Sequence, residues 1–148
     1  MARKWLALDV GERRIGVAVS DASGSIATPL TVIRRASKAE DFARIAALAR
    51  EQAAGGLVVG HPLNDDGSAG PQAQRIERYA AALAEALRAV GLDLPLLLWD
   101  EGLSTQRAQE AMIAAGRKAR DRQKRLDAVA AAVILQDYLD LHREEGVS

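Results

Sequence analysis

Two short apolar runs in this 148-residue chain stop on acids: Trp5 to Asp9, and Leu94 to Trp99 before Asp100-Glu101. A third, Leu57-Val58-Val59-Gly60, is too short and too β-branched for a helix and leads into a loop rich in Asn, Asp, Gly and Ser from His61 to Gly70. Such runs read as buried strands. The segments between them are amphipathic and Ala-rich, which favours helix. Ser37-x-x-Glu40 is a capping box ahead of Phe42, Ile45, Ala46 and Leu48 at helical spacing, and that helix is expected to end near Gly55-Gly56. Pro71 opens a long helix at a favoured first-turn position, and Gly91 closes it.

Before this alternation come two more strands. Ile15 to Val19 alternates with Gly16, Ala18 and Ser20, and the residues from Val10 to Gly16 hold a hairpin turn around Gly11. Ile26 to Arg35 contains Pro29, which marks an edge strand or a bulge. After Glu101, Ser104 is an N-cap for a helix through Ala115 stopped by Gly116, and a final helix is expected from about Asp127 to His142. The order predicts an α/β domain over residues 1–148. Its sheet is five-stranded and mixed, antiparallel among the first three strands and parallel in the second half, with helices covering it.

Composition narrows the function. Twenty basic residues balance twenty acidic ones, so bulk charge cannot coat nucleic acid or membrane, and any basic surface must be local. With five aromatics there is little material for base-stacking platforms. The absence of Cys excludes disulfides and thiolate zinc sites. The longest apolar run, Ala128 to Leu135, is far short of the roughly twenty residues that span a bilayer. Met1-Ala-Arg-Lys leads straight into a strand and does not read as a secretion signal. A soluble, cytoplasmic protein without membrane contact is expected.

The acids at the strand ends are the chemical signal. Ligands of open α/β sheets bind beyond the C-terminal ends of parallel strands. If the strands ending at Asp9 and Asp100-Glu101 are neighbours, their carboxylates converge and call for a divalent cation. Taken singly, each acid reads as the end of a strand and the start of a turn. Asp127 precedes the apolar stretch of a buried helix. It is either a first-turn acid favoured by the helix dipole or a third carboxylate over the same cleft, which suits two-metal phosphoryl transfer. Just before it, Arg117, Lys118, Arg120, Arg122, Lys124 and Arg125 put six cations in nine residues. By default this is a solvated loop; beside a metal site it would hold a polynucleotide backbone. Arg34, Arg35 and Lys38 form a second, weaker cluster. The loop from Gly60 to Gly67 lacks the Walker lysine, and His61, a conceivable general base, has no partner evident in sequence.

Leu6-Ala-Leu-Asp-Val-Gly-x-x-x-Ile15-Gly-Val-Ala, Val58-Val-Gly-x-Pro-Leu-x-x-x-Gly67, Asp100-Glu-x-Leu-Ser-Thr105 and Leu126-Asp-Ala-x-Ala-Ala-x-x-Ile-Leu135 occur in that order. Together they resemble the YqgF/RuvX family of pre-16S ribosomal RNA nucleases, once described as Holliday-junction-resolvase-like, over about residues 4 to 140. The resemblance implies an RNase H-like fold and Mg²⁺- or Mn²⁺-dependent phosphodiester hydrolysis. It also implies metal ligation by Asp9, Glu101 and Asp127, with Asp100 the alternative to Glu101 and water the nucleophile. The implied partner is a ribosomal RNA precursor or branched DNA, bound by a monomer or homodimer. One position departs from the family: Gly102 stands where Arg usually follows the Asp-Glu pair, and Arg107 is the nearest replacement. Two other classes compete, a non-catalytic nucleic-acid-binding module and an actin-like ATPase. The latter needs two such domains.

Overall fold

The computed structural model describes residues 3–101 and the backbone of 119–146, with side chains of that last stretch described from Leu126 to His142. The helix expected from Ser104 to Ala115, Gly102, Arg107, Arg117 and Lys118 lie outside the described residues. Strands β1 (Trp5–Val10), β2 (Arg14–Ser20), β3 (Ala27–Arg34), β4 (Gly56–His61) and β5 (Leu96–Asp100) form one sheet in the order β3-β2-β1-β4-β5. The pairs β1/β2 and β2/β3 are antiparallel, and β1/β4 and β4/β5 are parallel. This is the mixed sheet that the order of apolar runs predicts.

Helices cover both faces, and strand periodicity decides which residues meet which helix. Leu6, Leu8, Val10, Ile15, Val17, Leu57 and Val59 pack with Ile45 and Ala49 of α1 (Lys38–Glu51) and with Ile76, Tyr79, Leu83 and Leu87 of α2 (Pro71–Ala89). Trp5, Ala7, Ala18 and Val58 point the other way, against Ala131, Ile134, Leu135 and Tyr138 of α3 (Ala119–Gly146). Each fully buried Leu or Ile contributes about 1.5–3 kcal/mol relative to exposure. Asp9 shares the parity of Trp5 and Ala7, so it lies on the α3 face.

Local signals were mostly obeyed. Ser37 caps α1, its hydroxyl accepting from the Glu40 N–H at 3.1 Å. At the end of α2, Gly91 adopts φ +85°, and Leu92 and Gly91 donate to the carbonyls of Leu87 and Arg88 at 2.8 and 3.0 Å, a Schellman closure. Pro29 carries both features it implied. It lies on the edge strand β3, whose register against β2 slips between Val17 and Ala18, leaving Leu30 as the extra residue.

Three expectations need correction. Helix α1 ends at Glu51, ahead of the glycines, because Ala53 takes the left-handed turn at φ 51°. Gly55-Gly56 serves the next strand instead: Gly55 donates to the Lys4 carbonyl at 2.7 Å, and a Cβ on Gly56 would strike the Trp5 ring. Strand β5 lies at the end of the five-strand order, with Leu97 and Leu98 exposed, where a buried strand was expected. Helix α3 begins at Ala119, not at Asp127. Its opening turns are rich in Arg, Lys, Ala and Gln, all strong helix formers, so charge there marks helix rather than loop.

Candidate active site

The antiparallel register sets Asp9 opposite Gly16. At Gly16 the helix α3 comes down onto the sheet. A Cβ at that position would lie 1.8 Å from the Asp127 carbonyl oxygen and 2.2 Å from its carbonyl carbon. Only glycine permits this approach, and the approach is what brings Asp127 alongside Asp9. Because α3 starts at Ala119, Asp127 sits about two turns inside the helix. There it can be neither an N-cap nor a first-turn acid. Its Oδ2 accepts from Arg14 Nε at 2.7 Å, a half-buried ion pair between the start of β2 and α3.

Glu101 follows β5 directly, and its N–H donates to the His61 carbonyl at 3.2 Å. A second glycine makes room for its side chain. A Cβ on Gly60 would lie 2.7 Å from Glu101 Oε2 and 2.9 Å from Ile134 Cδ1. The Glu101 carboxylate therefore crosses the end of β4 toward β1, in contact range of α3. Asp100 is exposed on β5, paired in register with His61. Of the two adjacent acids, the fold draws in Glu101.

The electrostatics follow from that convergence. Burial, then the charges of Glu101 and Asp127, push the Asp9 carboxyl up to about 7. Burial likewise raises Glu101, helped by Asp100 and opposed by His61. The three acids named from sequence thus come from β1, the end of β5 and α3 to one end of the sheet. Among the described residues they do not close into a metal-ready cluster of three, and Arg14 occupies an Asp127 oxygen. Of the basic stretch, the backbone from Ala119 onward is helical, so Arg120, Arg122, Lys124 and Arg125 ride on the turns of α3 just before Asp127.

Three features escaped the sequence reading. Arg14 stands one residue before Ile15, inside the first motif, yet its partner is 113 positions away. His61 is the last residue of β4 rather than a loop residue, and its Nε2 lies 2.7 Å from Glu77 Oε2 on α2. A cavity on the α1/α2 face gathers Arg75 and Arg78 beside Arg35 and Lys38. The i, i+3 spacing of Arg75 and Arg78 was the available signal.

A mixed sheet in this order, covered on both faces, with acids from the first strand, a parallel strand end and the last helix meeting at one end, defines an RNase H-like domain. The sequence pattern of the family described as RuvX, Holliday junction resolvase, matches residues 3–141. The chain belongs to this family of nucleases. It is 42% identical over 141 residues, covering 95% of this chain and 98% of the relative, to a Thermoanaerobacter pseudethanolicus protein named as a candidate pre-16S rRNA nuclease. The fold is similar to that of Thermus thermophilus RuvC, solved with a Holliday junction substrate (TM-score 0.61, 14% identity, 95% of this chain and 96% of that one). It is also similar to the yeast mitochondrial Holliday junction resolvase Ydc2 (TM-score 0.54, 12% identity, 97% and 82%).

Proposed function

We propose that this protein is a divalent-metal-dependent endonuclease that hydrolyses phosphodiester bonds in ribosomal RNA precursors. In this reading Asp9, Glu101 and Asp127 are its catalytic, metal-ligating residues. The observation that carries the proposal is Asp9, a carboxyl pushed up to about 7 by burial and by two other acids. Such a group is costly as an anion unless a cation joins it. The donor set is oxygen only, which suits Mg²⁺ or Mn²⁺. When bound, the ion supplies charge stabilisation to the attacking and leaving oxygens of the phosphate. The chain's own part is placement. Asp9 is fixed by its strand register and Asp127 by a helix seated on Gly16, while Glu101 is turned inward over Gly60. Arg14 orients Asp127 through its Oδ2.

The names of relatives support an RNA precursor as substrate, and action there would place the protein in the cytoplasm. The cations from Arg117 to Arg125, immediately ahead of Asp127, suit contact with the polynucleotide backbone. The family description favours a second reading, cleavage of branched DNA, and paired cuts across a symmetric junction would require a dimer. A cleavage panel tests both. Four-way DNA junction, linear duplex, single-stranded RNA and a ribosomal RNA precursor end are incubated with Mg²⁺, Mn²⁺ or EDTA, with Asp9→Asn as the control. Metal-dependent products on RNA, absent with the variant, are expected. Products only on the junction would favour the second reading, and no cleavage by folded protein would leave a binding module.

A further inference from the structure

At the C-terminal end of β1 the sheet has two sides. Asp9 faces α3; the next residues, Val10 and Gly11, floor a cavity of about 300 Å³ between the N-terminal turns of α1 and α2. Its walls are basic. Lys38 stands on one side, and Gln72, Arg75 and Arg78, spaced by three along α2, stand on the other. Glu12 is the one acid in the lining. Arg35 is already engaged: it donates to the Gly11 carbonyl at 2.8 Å and lies 3.6 Å from the buried Asp41. Lys38, Arg75 and Arg78 make no ion pair or hydrogen bond among the described residues. All three are exposed, so solvent screens their mutual repulsion and leaves them free to close on an anion.

A second observation comes from the cavity's inner wall. Tyr79 is only 4% exposed, yet its hydroxyl is buried without a hydrogen-bond partner. Burial pushes this phenol up to about 12, so it remains a donor at neutral pH. Oδ2 of the buried Asp41 is closed off in the same way, and the charges of Arg35 and Asp41 act on the phenol, so Tyr79 lines the cavity without presenting its hydroxyl to it. The Tyr79 ring itself is not free for stacking, because Arg35 lies over it at 5.1 Å and Phe42 meets it edge-on at 5.2 Å. The lining thus offers donors and positive charge but no aromatic platform. That is chemistry for a phosphate, not for a base.

We propose that this cavity binds an internal backbone phosphate of the nucleic-acid strand whose scissile bond lies over Asp9, gripped by Lys38, Arg75 and Arg78. The inference rests on the nuclease reading for the strand's position. Its geometry follows from the chain: Asp9 and Val10 are adjacent at the C-terminal end of β1 and turn to opposite faces of the sheet, so the acid and the cavity share one strand end. A strand crossing the end of β1 therefore carries another phosphate from one side of the sheet to the other. The arrangement positions the substrate without reading its sequence.

The test compares binding of a labelled RNA lacking terminal phosphates, in EDTA and on an Asp9→Asn background, across a salt series. Joint replacement by Arg75→Gln and Arg78→Gln is expected to weaken binding roughly tenfold and to reduce the log–log salt slope by about one. Arg88→Gln, at the far end of α2, is expected to change it less than about twofold. Titration with inorganic phosphate, followed by NMR at Gln72 and Tyr79, is expected to shift those signals in the parent and not in the double variant. Unchanged affinity and slope in the double variant would overturn the proposal, as would an equal loss with Arg88→Gln. Sensitivity seen only with a 5′-phosphorylated strand would overturn it in favour of a terminal-phosphate site. Cleavage by the unmodified chain is scored separately. If cleavage occurs but binding ignores the double variant, only the cavity fails; if Arg-dependent binding occurs without cleavage, only the nuclease reading fails.

Discussion

Replacing Asp9 by Asn should stabilise the metal-free protein while abolishing its response to metal. The carboxyl is lifted from 3.8 to about 7 by burial and by Glu101 and Asp127. Between those values the folded chain holds a proton that the unfolded chain has released. Stability from this group is therefore greatest below pH 4, falls as pH rises through the window, and is flat above about pH 8. At 1.36 kcal/mol per pH unit the whole effect is about 4 kcal/mol. Asp9 is partly exposed, and solvent screening trims this to about 2–3 kcal/mol at pH 8, with less than half of it at pH 5. Asn carries no charge at any of these values and lacks the slope.

Urea unfolding in EDTA at pH 5, 6.5 and 8 measures both proteins. The gap between them should open in favour of Asp9→Asn as pH rises. Repeating the pH 8 series in Mg²⁺ reverses the order: at a hundred times its Kd the ion adds about 2.7 kcal/mol to the unmodified protein and nothing to the variant. Parallel pH curves with no gain for the variant at pH 8 would refute the argument that Asp9 is a strained anion. An equal Mg²⁺ response in both would refute its role as a ligand.

Other substitutions probe the supports of the site. Gly16→Ala places a methyl 1.8 Å from the Asp127 carbonyl oxygen and should cost about 3 kcal/mol in urea unfolding; a neutral result would mean that α3 is not seated there. Arg14→Gln removes a half-buried ion pair. It should change stability by less than about 1 kcal/mol and, by freeing Asp127, tighten Mg²⁺ binding about two- to fivefold by calorimetry; weaker binding would show that Arg14 helps rather than competes. Ser37→Ala loses the α1 cap and should lower stability by about 1 kcal/mol, whereas Ser37→Gly should lose only a few tenths; equal losses would point away from capping.

The periodic parts of this fold could be read from the chain because their causes are local. Alternation placed β2, a capping box placed the start of α1, and Pro29 announced an edge with a bulge. What misled was also local. Ala53, with no special propensity for it, took the turn expected of the glycines after it. A run of cations read as loop is helix from Ala119 on, because Arg and Lys favour helix as well as solvent. The site shows the same division. Asp9, Glu101 and Asp127 were visible as acids at strand and helix positions, but whether they meet is decided by residues without side chains. Gly16 admits the backbone of α3 and Gly60 admits the carboxylate of Glu101. Neither glycine adopts a conformation that needs glycine, so neither announces itself as a turn would. Their meaning lies in contacts with residues far along the chain, as does that of Arg14. Scanning for ligands finds the acids; the gaps that let them converge belong to tertiary packing and appear only when helix and sheet are put together.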